Sequence, residues 1–112
     1  MASADDLWLV DFGEPFAGEP AHQRPAVVLG PPDTFGPDFP FVIVCPLTTT
    51  RRGLALHVEI EPSSRTGLAD TSYVQCELLC SVHGRRLVRR IGAIDLATSR
   101  HITDIVKTLL DY

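Results

Sequence analysis

The chain has 112 residues, of which 45% are hydrophobic and 21% are charged, and its formal net charge at pH 7 is -4. The length predicts a single domain spanning 1–112, the composition excludes a largely disordered chain, and the acidic balance gives no overall signature of nucleic-acid binding. Nine of the ten cations are Arg, and six of these form pairs: Arg51 with Arg52, Arg85 with Arg86 and Arg89 with Arg90. The sequence therefore still allows local anion-binding patches on an acidic protein.

The N-terminus lacks the basic stretch and the apolar core of a secretory leader. The longest apolar run, 41–45, lies between two prolines and is far too short to cross a bilayer. We therefore expect a cytoplasmic protein with no membrane association. The odd number of cysteines and the lack of a C-x-x-C spacing predict reduced, buried or half-buried thiols at Cys45, Cys76 and Cys80.

Strand-forming segments alternate with loops along the first half of the chain. Residues 7–12, 25–29 and 41–47 are rich in β-formers, and the unbroken apolar run 25–29 is typical of a strand buried on both faces. The Pro- and Gly-rich stretches 13–24 and 30–40 predict long loops between them. Loops of that length in a small domain are often functional.

The second half predicts two further strands and a helix. Residues 54–60 alternate apolar and polar, which predicts a half-buried strand with His57 and Glu59 facing out, and residues 71–79 can form a fifth strand. After a tight turn at 83–84, Arg89 falls on an otherwise apolar strand face, so a bulge or a helical turn is expected there.

In the last segment the spacing of the apolar residues changes from that of a strand to that of a helix. Apolar residues recur at helical spacing after Asp95, a suitable N-cap, at Ile102, Ile105, Val106, Leu109 and Leu110. Five or six short strands followed by one helix indicate a mainly β, β-rich α+β fold. We expect a small, curled antiparallel barrel with the C-terminal helix packed over one side.

Two polar positions at strand ends are candidates for a site. Arg24 lies where a long loop enters an apolar strand, and Thr48 ends the next predicted strand, followed by Thr49, Arg51 and Arg52. If these strands are neighbours, a guanidinium, hydroxyls and loop amides converge on a surface suited to phosphate. His22 lies two residues from Arg24, on the same side if the chain is extended.

Each of these positions also has a purely structural interpretation. An Arg before Pro is often a surface ion pair, and threonines after a strand are often only β-formers entering a turn. The four histidines show no metal-ligand spacing, so we assign no metal and no cofactor.

Several motifs together resemble the MazF/PemK toxins of bacterial toxin–antitoxin pairs. They are D-L-W-L-V-D-F at 6–12, a loop with Gly-Glu at 18–19, Q-R-P-A-V-V-L at 23–29 and V-C-P-L-T-T at 44–49. Gly67-Leu68, Ser72, Arg86-Leu87 and the closing helix keep the register, so the resemblance covers nearly the whole chain. The R-P-A-V-V-L block combined with the later P-x-T-T block is fairly specific.

The resemblance implies a homodimer with a CcdB/MazF-like, Src-homology-3-like barrel. It also implies a sequence-specific endoribonuclease that cuts single-stranded RNA without metal and is neutralised by a MazE-like antitoxin whose disordered tail occupies the same grooves. The active pair of the family falls on Arg24 and Thr48. Around this pair we expect substrate contacts from Glu19, His22, Gln23, Thr49, Arg51, Arg52 and Arg86.

The residue types of this pair suit RNA cleavage by the 2'-hydroxyl. RNA supplies its own nucleophile, so the protein mainly orients it and stabilises charge on the phosphorane oxygens. Arg24 suits charge stabilisation and proton donation, and Thr48 suits a hydrogen bond to a phosphate oxygen.

Two alternatives keep the fold and change the function. A CcdB-like toxin would bind DNA gyrase, but those relatives use a C-terminal W-G-I and this chain ends Leu-Leu-Asp-Tyr at 109–112. A catalytically silent interaction domain would use its Arg pairs to bind an acidic partner.

Overall fold

A computed structural model of the protein describes residues 2–14, 22–32 and 38–111. Within these residues the chain forms seven strands and one helix, which confirms the predicted mainly β architecture with a C-terminal helix. The elements are β1 (Asp6–Asp11), β2 (Gln23–Gly30), β3 (Phe41–Thr48), β4 (His57–Ile60), β5 (Ser72–Gln75), β6 (Cys80–His83), β7 (Leu87–Ala93) and α1 (Leu96–Leu109).

All strand pairs are antiparallel, and the strands are ordered β4-β5-β3-β2-β1-β7, with β6 pairing the first half of β3. The sheet curls but it is not a closed barrel: in the described part of the chain no ladder joins β4 to β7. A turn after β4 spans this gap, and the Ala93 N–H donates to the carbonyl oxygen of Arg65 at 3.0 Å.

Alternating side chains divide the interior into two clusters on opposite faces of the sheet. The main core lies between the sheet and α1 and includes Leu7, Val27, Leu47, Val74 and Ile102. The second cluster is smaller and consists of Val10, Ala26, Val28, Val44 and Val82. Since β2 contributes to both clusters, the predicted strand buried on both faces is confirmed.

The helix α1 begins and packs as its sequence predicts over most of its length. The Asp95 carboxylate accepts a hydrogen bond from the Thr98 N–H at 2.8 Å, and this bond lowers the pKa of Asp95. Ile102 is fully buried, whereas Leu109 and Leu110 are exposed, so the predicted apolar face is covered only in part. No helix in the described part of the chain is both long and apolar enough to cross a membrane.

Three local features differ from or refine the predicted strands. β4 begins at His57 rather than at 54, because the preceding residues form a turn in which the His57 N–H donates to the Leu54 carbonyl. β5 ends at Gln75, since the chain turns through a 3-10 helix at Cys76–Leu78 and then forms β6, a strand that the sequence pattern did not predict. The expected irregularity near Arg89 is confirmed by two register shifts between β1 and β7.

The contact between the 63–67 turn and β7 leaves no room for a side chain at Gly92. A Cβ atom there would collide with the backbone carbonyl oxygens of Arg65 and Thr66. We expect Gly92→Ala to lower the free energy of unfolding by about 1–3 kcal/mol, as for other overpacked sites. Urea denaturation measures this change.

Gly84→Ala is the matched control, because its Cβ would meet only the Pro40 carbonyl oxygen at an ordinary 3.5 Å. Its effect should stay within roughly 0.5 kcal/mol. Equal stabilities of the two variants would show that the turn does not pack tightly on β7.

Candidate functional site

The strand register relates Arg24 to Thr48. β2 and β3 pair through Ala26 with Pro46, Val27 with Cys45 and Val28 with Val44. Continuing this register by two residues places Arg24 opposite Thr48. Directly opposite residues of an antiparallel pair share one face of the sheet, with Cβ atoms about 5 Å apart.

The ladder between β2 and β3 ends at Ala26 and Pro46, just before this pair. Pro25 and Pro46 have no N–H to donate, so backbone donors are fewer at this end of the two strands. Beyond this point Arg24 pairs with Val10 of β1, and Thr48 pairs with Tyr73 of β5. Each side chain is therefore held by a different neighbouring strand, at a break in the ladder.

Arg24 is half-buried and makes no hydrogen bond or ion pair with any described residue. The Thr48 hydroxyl oxygen accepts a hydrogen bond from the Thr50 N–H at 3.2 Å, which leaves its own O–H free to donate. A cation that has no counterion among the described residues, opposite a free hydroxyl donor, can bind an anion at this break.

Arg24 and Thr48 begin a row of side chains that runs across the sheet, and two further residues continue it. Tyr73 lies opposite Thr48 and Glu59 lies opposite Tyr73, so Glu59, Tyr73, Thr48 and Arg24 share one face of β4, β5, β3 and β2. Loss of hydration, and then the negative charge of Glu59, raise the pKa of the Tyr73 phenol. Tyr73 and Glu59 belong to the site by position, and the sequence reasoning missed their role.

A second row lies behind the first on the same face. His57 and Gln75 are opposite each other on β4 and β5, two residues along from Glu59 and Tyr73. The prediction that His57 faces out is wrong: its side chain is only 3% exposed, and its Nε2 lies 2.8 Å from a Glu77 carboxylate oxygen. The strand pattern could not show this, because Glu77 lies in the 3-10 turn after β5.

Two buried polar atoms of this second row find no hydrogen-bond partner in the described structure. They are Nδ1 of His57 and Oε1 of Gln75. Buried polar atoms are rarely left unpaired, because each costs about 1–3 kcal/mol. Both atoms lie on the face of the sheet that carries Thr48, so this part of the site has hydrogen-bonding capacity that no described residue uses.

A cavity of about 390 Å³ opens next to these rows. Its lining includes Arg51, Leu54, His57, Glu59 and Tyr73. Tyr73, which lines the cavity, lies opposite Thr48 in the strand register, so the cavity is next to the Thr48 position. Of the predicted substrate-binding residues, Arg51 lines it.

The other residues predicted to bind substrate lie near the end of the ladder between β2 and β3, and they differ in exposure and in orientation. Thr49 and Arg52 are exposed just after β3, and Gln23 is exposed at the start of β2, on the face opposite to that of Arg24. His22 has a positive φ of 56°, so it is not extended and the period-two argument that placed it beside Arg24 does not apply. Glu19 lies outside the described residues.

Arg86 lies near the other end of the break. Its Nη1 donates to the backbone carbonyl oxygen of Asp11 at 3.1 Å, while the residue is exposed. Asp11 pairs with Gln23, next to Arg24 in β2. Arg86 is thus held at the side of the site where β1 ends, with part of its guanidinium still exposed.

The cysteines lie apart from this site. Cys45 and Cys76 are buried and Cys80 is half-buried, and all three are free thiols. A hydrogen bond to Cys76 and burial together raise the pKa of Cys45. No group of three or more His, Cys, Asp or Glu within residues 2–14, 22–32 and 38–111 is arranged to hold a metal ion.

The fold and the break together define a small, curled β-sheet protein that presents a cation and a hydroxyl from neighbouring strands. The model of the PemK-like, MazF-like toxin family of type II toxin–antitoxin systems matches residues 4–110. The chain therefore belongs to this toxin family.

Solved structures agree with this fold. A MazF crystal structure from Deinococcus radiodurans is similar with a TM-score of 0.84 at 20% identity, covering 99% of this chain and 97% of that one. The Mycobacterium tuberculosis toxin MazF-mt6 gives 0.75 at 24% identity, covering 95% and 96%. An endoribonuclease in complex with its cognate antitoxin, from a mycobacterial species, gives 0.78 at 21% identity, covering 99% and 96%.

The buried contact between His57 and Glu77 leads to a stability prediction. Glu77→Ala removes the described hydrogen-bond partner of the imidazole and leaves both ring nitrogens unpaired. We expect the free energy of unfolding to fall by about 1–3 kcal/mol, measured by urea denaturation. Glu61→Ala is the control, because Glu61 only accepts an exposed hydrogen bond from Thr71, and an equal loss in both variants would contradict the assignment.

Proposed function

We propose that this toxin is a sequence-specific endoribonuclease that cleaves single-stranded RNA. The observation that supports this most is the position of Arg24: a half-buried guanidinium with no described counterion, opposite Thr48 where the ladder between β2 and β3 ends. A scissile phosphate between the two side chains would receive the positive charge of Arg24 and a hydrogen bond from Thr48.

The proposed reaction uses the 2'-hydroxyl of the RNA as nucleophile. Its oxygen forms a bond to the adjacent phosphorus as its proton passes to a solvent water, while the bond from phosphorus to the 5'-oxygen breaks and that oxygen takes up a proton from solvent. The products are a 2',3'-cyclic phosphate, which can open to a 3'-phosphate, and a 5'-hydroxyl. Arg24 stabilises the extra negative charge of the phosphorane, and Thr48 orients one of its oxygens.

Arg24 does not remove a proton, because a guanidinium stays charged at neutral pH, and it assists the leaving oxygen by donating a hydrogen bond as that oxygen takes up its proton. None of these steps requires a metal ion. The exposed Arg51, Arg52 and Arg86 and the hydroxyl of Thr49 would hold flanking phosphates on either side of the pair.

The toxin would work in the cytoplasm as a homodimer, and a cognate MazE-like antitoxin would neutralise it. Membership of the toxin family supports an antitoxin partner, and one similar structure is described as a complex of an endoribonuclease with its cognate antitoxin. An antitoxin tail with acidic side chains would compete with RNA for the same arginines.

Removal of the guanidinium tests the active pair. Arg24→Ala should lower the cleavage rate roughly 100- to 1,000-fold, because a preorganised donor to the transition state is lost. Thr48→Val should cost on the order of tenfold, since it removes a neutral hydrogen bond. Cut ends are mapped on a mixed RNA pool in the presence of EDTA, and they should carry 2',3'-cyclic phosphate or 3'-phosphate.

Arg100→Ala is the matched control, because Arg100 is an exposed arginine on α1. Circular dichroism confirms that each variant is folded. Wild-type cleavage rates in the folded Arg24→Ala variant would overturn the active pair. Antitoxin binding without any RNA cleavage by the wild type would indicate the silent interaction domain, and inhibition of gyrase would indicate the CcdB-like function.

The salt dependence of RNA binding tests the flanking cations. If Arg24, Arg51, Arg52 and Arg86 each neutralise one phosphate, log affinity for single-stranded RNA should fall against log salt with a slope of roughly -3, at about -0.7 per contact. Fluorescence anisotropy with an uncleavable 2'-O-methyl RNA measures the slope. Arg52→Ala should make it shallower by roughly 0.7, and a flat dependence in the wild type would exclude these phosphate contacts.

A further inference from the structure

The cavity beside Thr48 has no part in the cleavage step described above. It measures about 390 Å³, within the usual range of small-ligand pockets, and Tyr73 forms the wall that it shares with the Thr48 position. Its lining residues come from the loop after β3, from β4 and from β5, so two strands hold most of its polar groups in place.

The charges around the cavity do not suit a phosphate. Glu59 lines it, and Glu77 lies directly behind His57, at 2.8 Å from Nε2. Against these two carboxylates Arg51 supplies one guanidinium. A neutral ligand group is therefore favoured here, in contrast to the anion-binding pair of Arg24 and Thr48.

The hydrogen-bonding groups of the cavity are mostly acceptors. In the tautomer that donates Nε2–H to the Glu77 carboxylate, Nδ1 of His57 is an acceptor without a partner in the described structure. Oε1 of Gln75, which lies opposite His57 but does not itself line the cavity, is a second acceptor without a partner there. The carboxylate of Glu59 is the third.

The side chain of Tyr73 supplies an aromatic surface. Tyr73 lies on β5 opposite Glu59 of β4, so two paired strands hold the ring at the wall of the cavity, where a base can stack on it. Gln75 is only 8% exposed, but its terminal torsion is soft, so a rotation of the amide can turn it toward a ligand without moving β5.

We propose that this cavity binds one nucleobase of the RNA next to the scissile phosphate and prefers a base that carries an amino group over uracil. The base stacks on Tyr73 and donates hydrogen bonds to Glu59 and to the acceptors beside it. This inference rests on the proposed ribonuclease function and assigns Tyr73 and Glu59 as residues that determine its sequence specificity.

The position of the cavity fits this role. Tyr73 is one strand away from Thr48, a separation of about 4.8 Å between backbones. A phosphate at Thr48 therefore has the base of its own or the next nucleotide within reach of Tyr73. Arg51 follows Thr48 by three residues and can hold the sugar–phosphate backbone at the mouth of the cavity.

The test compares cut-site profiles on a randomised single-stranded RNA pool. Glu59→Gln changes an exposed carboxylate to an amide that both donates and accepts, and it should lower the preference for amino-bearing bases over uracil at one position by roughly fivefold or more. Tyr73→Leu should weaken binding of a 2'-O-methyl oligonucleotide roughly tenfold because the stacking surface is lost. Tyr73→Phe, which keeps the ring, should stay within about twofold of the wild type.

Phe41→Ala is the control for loss of an aromatic ring, because Phe41 is an exposed aromatic at the opposite end of β3. It should leave the cut-site profile unchanged. Unchanged profiles in both Glu59→Gln and Tyr73→Leu, with RNA still cleaved, would overturn the subsite and leave the ribonuclease proposal intact.

A direct binding measurement separates the two proposals. Titration with the 2'-O-methyl oligonucleotide should shift the NMR signals of the His57 imidazole and the Tyr73 ring, and an oligonucleotide of uracil alone should shift them less. If these shifts occur but the wild type cuts no RNA, the subsite stands and the cleavage proposal fails. If cleavage occurs without any shift at His57 or Tyr73, the subsite is wrong.

Discussion

The break in the hydrogen-bond ladder between β2 and β3 is the constraint on which the candidate site depends. The paired register ends at Ala26 and Pro46, and Pro25 and Pro46, at adjacent steps of that register, each lack an N–H donor. Each strand end is still held, β2 by β1 and β3 by β5. Arg24 and Thr48 are therefore carried on rigid backbone, yet no inter-strand bond closes the space between them, which is how a preorganised site is mounted.

The same register gives this acidic protein two chemically different surfaces along one row of side chains, which suits the RNA substrate that we propose. Across one face of the sheet, the row from Arg24 to Glu59 begins with a cation and ends with a carboxylate. A nucleotide has a matching division, because its phosphate is negative and its base carries neutral donors and acceptors. The net charge of -4 is thus a poor guide to function here, since the distribution of charge along one row decides what binds.

The sequence was sufficient to predict the main strands and the helix, because these depend on local patterns. The active pair of Arg24 and Thr48 follows from the family resemblance and stays a prediction. The strands around Ala26 and Val44 and the helix after Asp95 follow from β-former runs, apolar period and capping. The places of Tyr73, Glu59 and Gln75 did not follow, although alternation puts the polar residues of each strand on one face. Their convergence on Thr48 requires the register between β3, β5 and β4, which a single sequence does not specify.

His57 shows most clearly why local periodicity falls short. Alternation in 54–60 places it on the polar face, and solvent is the simplest environment for that face. In the structure the chain after β5 turns back through a 3-10 helix and brings Glu77 against the imidazole, so the polar face is covered and His57 is buried. Glu77 provides a partner for Nε2 of His57, whereas Nδ1 has no partner in the described residues.

A fold that needed only stability would favour an apolar residue at this position, because replacing a half-satisfied buried polar group by an apolar one is often neutral or stabilising. The imidazole lines the cavity and lies two strands from Thr48, and recognition of a ligand explains its place here better than packing does.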